Sequence, residues 1–208
     1  MRKWFPAKKK IGVRASAPLE IIHMDCSRFV LPDGVKLWIH VIRDNYSRAL
    51  LGTEISHSAS SAAAVTNLKA VCERYGFNRR PVTLLVDDGS ENKGEVIDFV
   101  EHDQSALTRV VARADVSFSN SMVENMIKII KHQGLIRANP RSRAEVARVL
   151  AEITVDFNNR PLNILEGLTP NEVLAGKRPD KYRFMEDIKR ASRDRKEVNR
   201  SEDCENDT

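Results

Sequence analysis

Residues 83–94, TLLVDDGSENKG, carry an apolar run that stops at Asp87 and Asp88 and is followed at once by Gly89. With Pro81 and Val82 before it, the run reads as a strand that is apolar on both faces, as a central strand between two covering layers must be. Ligands of such sheets gather at the carboxyl ends of the strands, so an acid closing this one has a natural role there. Asp-Asp-Gly is also good turn chemistry. The pair reads as divided labour, one carboxylate turned to a site and one to the turn.

Upstream, residues 20–57 form three strand-like segments, EIIHMDCSRFVL, VKLWIHVIRD and RALLGTEISH, separated by short polar turns at 32–34 and 45–47. An antiparallel meander is the economical arrangement. Residues 58–76 follow as a helix, with serines to cap it, Val65, Leu68 and Val71 at helical spacing, and Gly76 to end it. Downstream come a short helix in KGEVIDFVEHD, a fifth strand in LTRVVAR and a helix in SNSMVENMIKIIKHQGLI. A further helix opens at Ser142 with Glu145 as a capping box, and a brief one starts at Pro170. The order predicts an α/β protein with a five-stranded mixed sheet flanked by helices. No G-x-G-x-x-G or Walker sequence interrupts it, which excludes a doubly wound nucleotide fold.

The composition, 41% apolar and 30% charged over 208 residues, is that of a soluble globular chain. No run approaches the ~18 apolar residues of a membrane span, so a cytoplasmic, chromosome-associated protein without a membrane partner is expected. Three cysteines, Cys26, Cys72 and Cys204, lack C-x-x-C spacing and imply neither a disulfide framework nor a zinc site. Net charge is +5, yet residues 1–19 hold six basic side chains and no acid, which leaves −1 for the rest. The chain divides into a basic N-terminal arm (1–19), a core (20–176) and a charged, flexible tail (177–208), with helix expected only near 182–188. An arm carrying Lys8, Lys9 and Lys10 suits a phosphate backbone.

Two further carboxylates invite a role. Asp25 interrupts an apolar strand, where a buried charge needs a neutralising partner; the bland alternative is a solvent-facing pleat shared with His23 and Ser27. Glu124 shares a helix face with Lys128 and Lys131, opposite Val123, Met126, Ile127 and Ile130. That face is either a solvated one with a Glu-to-Lys pair or a carboxylate beside two cations that grip phosphates.

Together these segments resemble the catalytic core of the DDE recombinases, the insertion-sequence transposases and retroviral integrases with a ribonuclease H-like fold. IIHMDCSRF (21–29) is similar to the family's first acidic strand, and LWIHVIRDNYSRALLG (37–52) to its second and third with the D-x-x-S-R turn of Asp44, Ser47 and Arg48. VDDGSEN (86–92) resembles the D-N-G segment, NSMVENMIKIIK (120–131) the N-x-x-x-E helix, and FNNRP with LEGLTPNEVL the closing segment of bacterial transposases. Five weak patterns in order make a strong one.

The resemblance implies a catalytic and metal-binding triad of Asp25, Asp87 and Glu124 that holds two Mg2+ or Mn2+ ions. Its task would be to cleave phosphodiester bonds at transposon ends and transfer the 3′-hydroxyl to target DNA. It also implies DNA contacts at Lys128 and Lys131, and a homo-oligomer. The family's asparagine is here Asp88; 36 residues separate Asp87 from Glu124 and 35 separate Asp88 from it, the usual family spacing. Motif alignment favours Asp87, with Asp88 capping the turn. The loop ADVSFSNS (114–121) lacks the family's glycines and proline, and nothing upstream resembles the family's helix-turn-helix or zinc module, so a separate DNA-recognition domain is an expected partner. Two alternatives stand beside an active recombinase: a catalytically decayed core that binds DNA, and a ribonuclease H-like nuclease that hydrolyses without strand transfer.

Overall fold

The computed structural model describes residues 13–77, 80–102, 106–112 and 120–205. Strands β1 (Ile21–Val30), β2 (Lys36–Asp44) and β3 (Leu50–Ser56) form the expected antiparallel meander. Helix α1 (Ser61–Tyr75) carries the chain across to β4 (Val82–Val86), which pairs parallel with β1; α2 (Glu95–His102) does the same for β5 (Leu107–Val111). The sheet order is β3-β2-β1-β4-β5, so β1 and β4 lie inside it. The mixed sheet is the one predicted, and the near-uniform apolarity of β4 has its cause in helices on both faces.

Those faces bury two separate cores. Ile22, Met24, Ile42, Leu84 and Val86 pack with Leu68 and Val71 of α1 and Phe99 of α2. Leu37, Ile39 and Val41 pack on the other side. Their partners are α3 (Ser121–Ile129), a π-helical turn (Ile130–Leu135) and α5 (Arg143–Asn159), with α4 (Ile136–Ala138) between the last two. Because side chains alternate along a strand, Met24 enters the α1 core while His23, Asp25 and Ser27 turn toward α3. Helix α1 lies close on β3 at Gly52, where a Cβ would sit 2.5 Å from Asn67 Oδ1 and Val71 Cγ2.

The helix ends follow their sequence signals. Ser60 and Ser142 accept from Ala63 N and Glu145 N, and Gly76 closes α1 in the left-handed conformation (φ 66°). Glu145 bonds the amide of Arg141 instead of completing a capping box on Ser142, whereas Thr169 and Glu172 form a full box at α6 (Pro170–Leu174). The charged tail differs from expectation: α7 runs over Met185–Glu205. No residue from 185 to 200 is buried. Its helicity comes from strong helix formers, the absence of Gly and Pro after Asp180, and pairs such as Glu186–Lys189 at 2.7 Å. Lys8, Lys9 and Lys10 lie outside the described residues. The end of the arm is docked, with Ala15 N donating to Asn45 Oδ1 (2.9 Å) and Leu19 N to Asp44 Oδ1 (2.8 Å). Among the described residues no helix is long and apolar enough to cross a membrane.

Candidate active site

β1 and β4 pair in parallel with His23 opposite Leu85. Two residues further along each chain, this register sets Asp25 beside Asp87. Glu91 joins them from a 3-10 turn (Ser90–Asn92), and one oxygen from each of the three half-buried carboxylates lies within 4.8 Å of the others. Asp87 is oriented by its own turn, with Oδ1 accepting from Gly89 N (3.0 Å) and Asn92 Nδ2 (2.6 Å). Asp88 is 76% exposed and pairs with Lys93 at 3.0 Å. The division of labour expected for the acidic pair is therefore not the one found: Asp87 both caps the turn and faces the cluster, and Asp88 does neither. The Glu91 carboxylate sits over Gly89, so close that a Cβ there would lie 2.6–2.8 Å from it and turn the Glu91 side chain aside.

Converging carboxylates raise one another's proton affinity. Asp25 is pushed up to about 7, first by burial and then by Asp87, with Glu91 and Glu124 adding to it; the amide of Cys26, donating to Asp25 Oδ1 at 2.7 Å, opposes the rise. Burial and the neighbouring Glu91 also push the Cys26 thiol well above its usual range, so it stays protonated.

Glu124 is exposed in the first turn of α3 and stands outside the three-carboxylate cluster, though near enough for its charge to act on Asp25. The start of its helix is fixed to the sheet by buried polar groups. Asn45 Nδ2 donates to His23 Nε2 (2.8 Å), so the His23 proton sits on Nδ1 and is donated to Asn120 Oδ1 (3.1 Å), while Asn120 Nδ2 donates to Met24 O (2.9 Å). Burial lowers the His23 pKa to about 4, which keeps the ring neutral. Buried Arg43 donates through Nη1 to Met122 O (2.7 Å) and through Nε to Arg48 O (2.9 Å), and stacks over Phe157 at 5.3 Å. Lys131 reaches back to β1, donating to Ser27 Oγ at 2.6 Å, and Lys128 is exposed.

The structure thus brings together two of the three expected acids, keeps the third at the edge, and adds Glu91. Only the turn geometry reveals Glu91; in sequence it is one more acid in a polar loop. The donor set fits a hard divalent cation, since it offers carboxylate oxygens and none of the three acids is ion-paired among the described residues.

A mixed β3-β2-β1-β4-β5 sheet flanked by helices is the ribonuclease H-like fold of integrase catalytic cores. Among solved structures, the HTLV-2 integrase catalytic core domain in complex with magnesium, in a trimeric form, is similar with a TM-score of 0.60 and 16% identity over 77% of this chain and 99% of that one. Its dimeric form is similar with a TM-score of 0.59 at the same identity and coverage. A simian T-cell lymphotropic virus intasome, in complex with PP2A regulatory subunit B56 gamma, gives 0.66 and 17% over 83% of this chain and 60% of that one. No protein-family model matches the chain, and no curated protein does. At these identities the likeness is one of fold.

Proposed function

We propose that the chain is the catalytic core of a metal-dependent polynucleotidyl transferase that cleaves phosphodiester bonds at the ends of a mobile element and transfers the freed 3′-hydroxyl to target DNA. The meeting of Asp25 and Asp87 on adjacent strands, within the fold of a core solved with magnesium, carries this reading. When bound, two Mg2+ or Mn2+ ions would supply alignment of the attacking oxygen and neutralisation of the leaving one. Asp25, flanked by the other acids, would hold them together with Asp87, whose carboxylate is held by Gly89 and Asn92, and Glu124. Lys131, tied to Ser27 next to Asp25, and Lys128, one turn beyond Glu124, meet the DNA backbone, with Lys8, Lys9 and Lys10 adding non-specific contacts. The trimeric, dimeric and intasome forms of the similar structures support assembly as a homo-oligomer on DNA. A second reading of the metal site rests on the position of Glu91, which lies inside the cluster where Glu124 does not; in it Glu91 is the third ligand.

Calorimetric titration with Mn2+ tests both. Asp87→Asn abolishes binding and Asp88→Asn leaves it intact. Loss in Glu124→Gln but not Glu91→Gln supports the Asp25, Asp87, Glu124 triad, and the reverse supports Glu91. Wild-type affinity in Asp87→Asn, Glu124→Gln and Glu91→Gln alike would replace the enzyme with a catalytically decayed DNA-binding core. Metal-dependent cleavage without joined products would make it a nuclease.

A further inference from the structure

The Asp44–Arg48 turn carries chemistry that the carboxylate site does not use. Arg48 holds φ +67°, a left-handed conformation that costs a non-glycine residue about 1–3 kcal/mol. The turn is locked there: Asp44 Oδ2 accepts from Ser47 N and Ser47 Oγ, both at 2.6 Å, Asp44 Oδ1 accepts from Leu19 N, and Arg43 Nε grips Arg48 O. What this conformation presents is a half-buried guanidinium short of acceptors. Among the described residues its one hydrogen bond goes from Nη1 to the thioether of Met122, a weak acceptor, and its buried Nε meets no acceptor.

Arg48 lines a cleft of about 210 Å³ together with Arg14, Asn45, Tyr46 and Leu165, and no acidic side chain lines it among the described residues. The two arginines act on each other: burial first, and then the charge of Arg14, lower the Arg48 pKa, with Asp44 opposing. Buried Arg43 adds a third positive charge behind the turn, while Asp44, the carboxylate among them, has both oxygens committed to the arm and the turn. Positive charge is in surplus at an open cleft, and the planar, many-donor guanidinium suits a phosphate better than any other common anion except a carboxylate.

We infer that the Arg14–Arg48 cleft binds one phosphate of a polynucleotide backbone, so that nucleic acid serving the carboxylate site is also held beside the first turn of α3, which Arg48 touches at Met122. This assignment rests on the polynucleotide reading above.

The test uses the full chain and a fluorescent 20-base-pair duplex, with binding followed by anisotropy across a KCl series in EDTA. Each phosphate contact contributes about 0.9 to the slope of log K against log salt. Arg14→Gln, at an exposed position, and Arg48→Gly, which suits the left-handed backbone, each reduce the slope, and the double variant by no more than about 0.9, because the two share one phosphate. Mn2+ binding at Asp25 and Asp87 is unchanged in both, so failure of the metal reading shows separately, as absent Mn2+ binding in the wild type. A wild-type slope in Arg14→Gln and Arg48→Gly overturns the site. If inorganic phosphate raises the Tm of the wild type but not of the variants while the duplex slope stays fixed, the cleft takes free phosphate and the polynucleotide assignment falls.

Discussion

Asp25 shows how one residue's neighbours set its chemistry. On its strand it shares a side with His23 and Ser27, but that side is covered by α3, and the carboxyl is pressed between burial and other acids. Its folded pKa of about 7 lies above its ordinary 3.8, so its contribution to stability is present in full below the lower value and is lost as pH rises through the upper one. Asp25→Asn therefore raises the Tm of the metal-free protein at pH 8 and leaves it little changed at pH 4, read by thermal melts at both. Saturating Mn2+ at pH 8 raises the Tm of the wild type and not that of the variant. An equal shift at both pH values would show that the carboxyl is not strained by ionisation.

At the scale of elements, the start of α3, which carries Glu124, has to be held in place against the sheet. The hydrophobic face of Val123, Met126 and Ile127 supplies adhesion that is non-directional. Directional bonds from Asn120 and Arg43 fix its register on the sheet. Arg43 serves two carbonyls, of Met122 and Arg48, with two nitrogens of one rigid fork, a geometry the single ammonium of lysine cannot match. Arg43→Lys is expected to lower the unfolding free energy by about 1–3 kcal/mol, the cost of buried carbonyls left without donors. Urea titration measures it, and a change under about 0.5 kcal/mol would mean the tether is dispensable.

For the whole molecule, stability resides in the two cores on either side of the sheet, and no residue of α7 from 185 to 200 is buried in them. A chain ending at Phe184 should unfold with a free energy within about 1 kcal/mol of the full chain and bind Mn2+ equally well, by urea titration and calorimetry. A larger loss would show α7 to be part of the folded unit. An isolated exposed helix of this composition is marginal in water, so the same truncation removes helical circular dichroism in excess of any change in Tm.

Local pattern determined most of the architecture. Period-two and period-3.6 apolar spacing, Gly76 and Ser142 at helix ends, and the short turns of the meander predicted all five strands and the helices that pack on them, because each signal acts within a few residues of chain. The same information marked Asp25 inside the first strand and Asp87 at the close of the fourth, and the family resemblance implied that the two meet; the parallel pairing of β1 with β4 supplies the neighbourhood. Local pattern did not reach the roles within Asp87-Asp88-Gly89, the arrival of Glu91, or the His23, Asn45 and Asn120 chain that anchors α3. Each of these depends on which atoms a turn or a strand register sets face to face across as many as 97 residues, as between His23 and Asn120. Only the packed tertiary structure decides that, since a hydrogen bond needs its two atoms about 3 Å apart and burial sets how strongly like charges repel, and neither leaves a trace in sequence spacing.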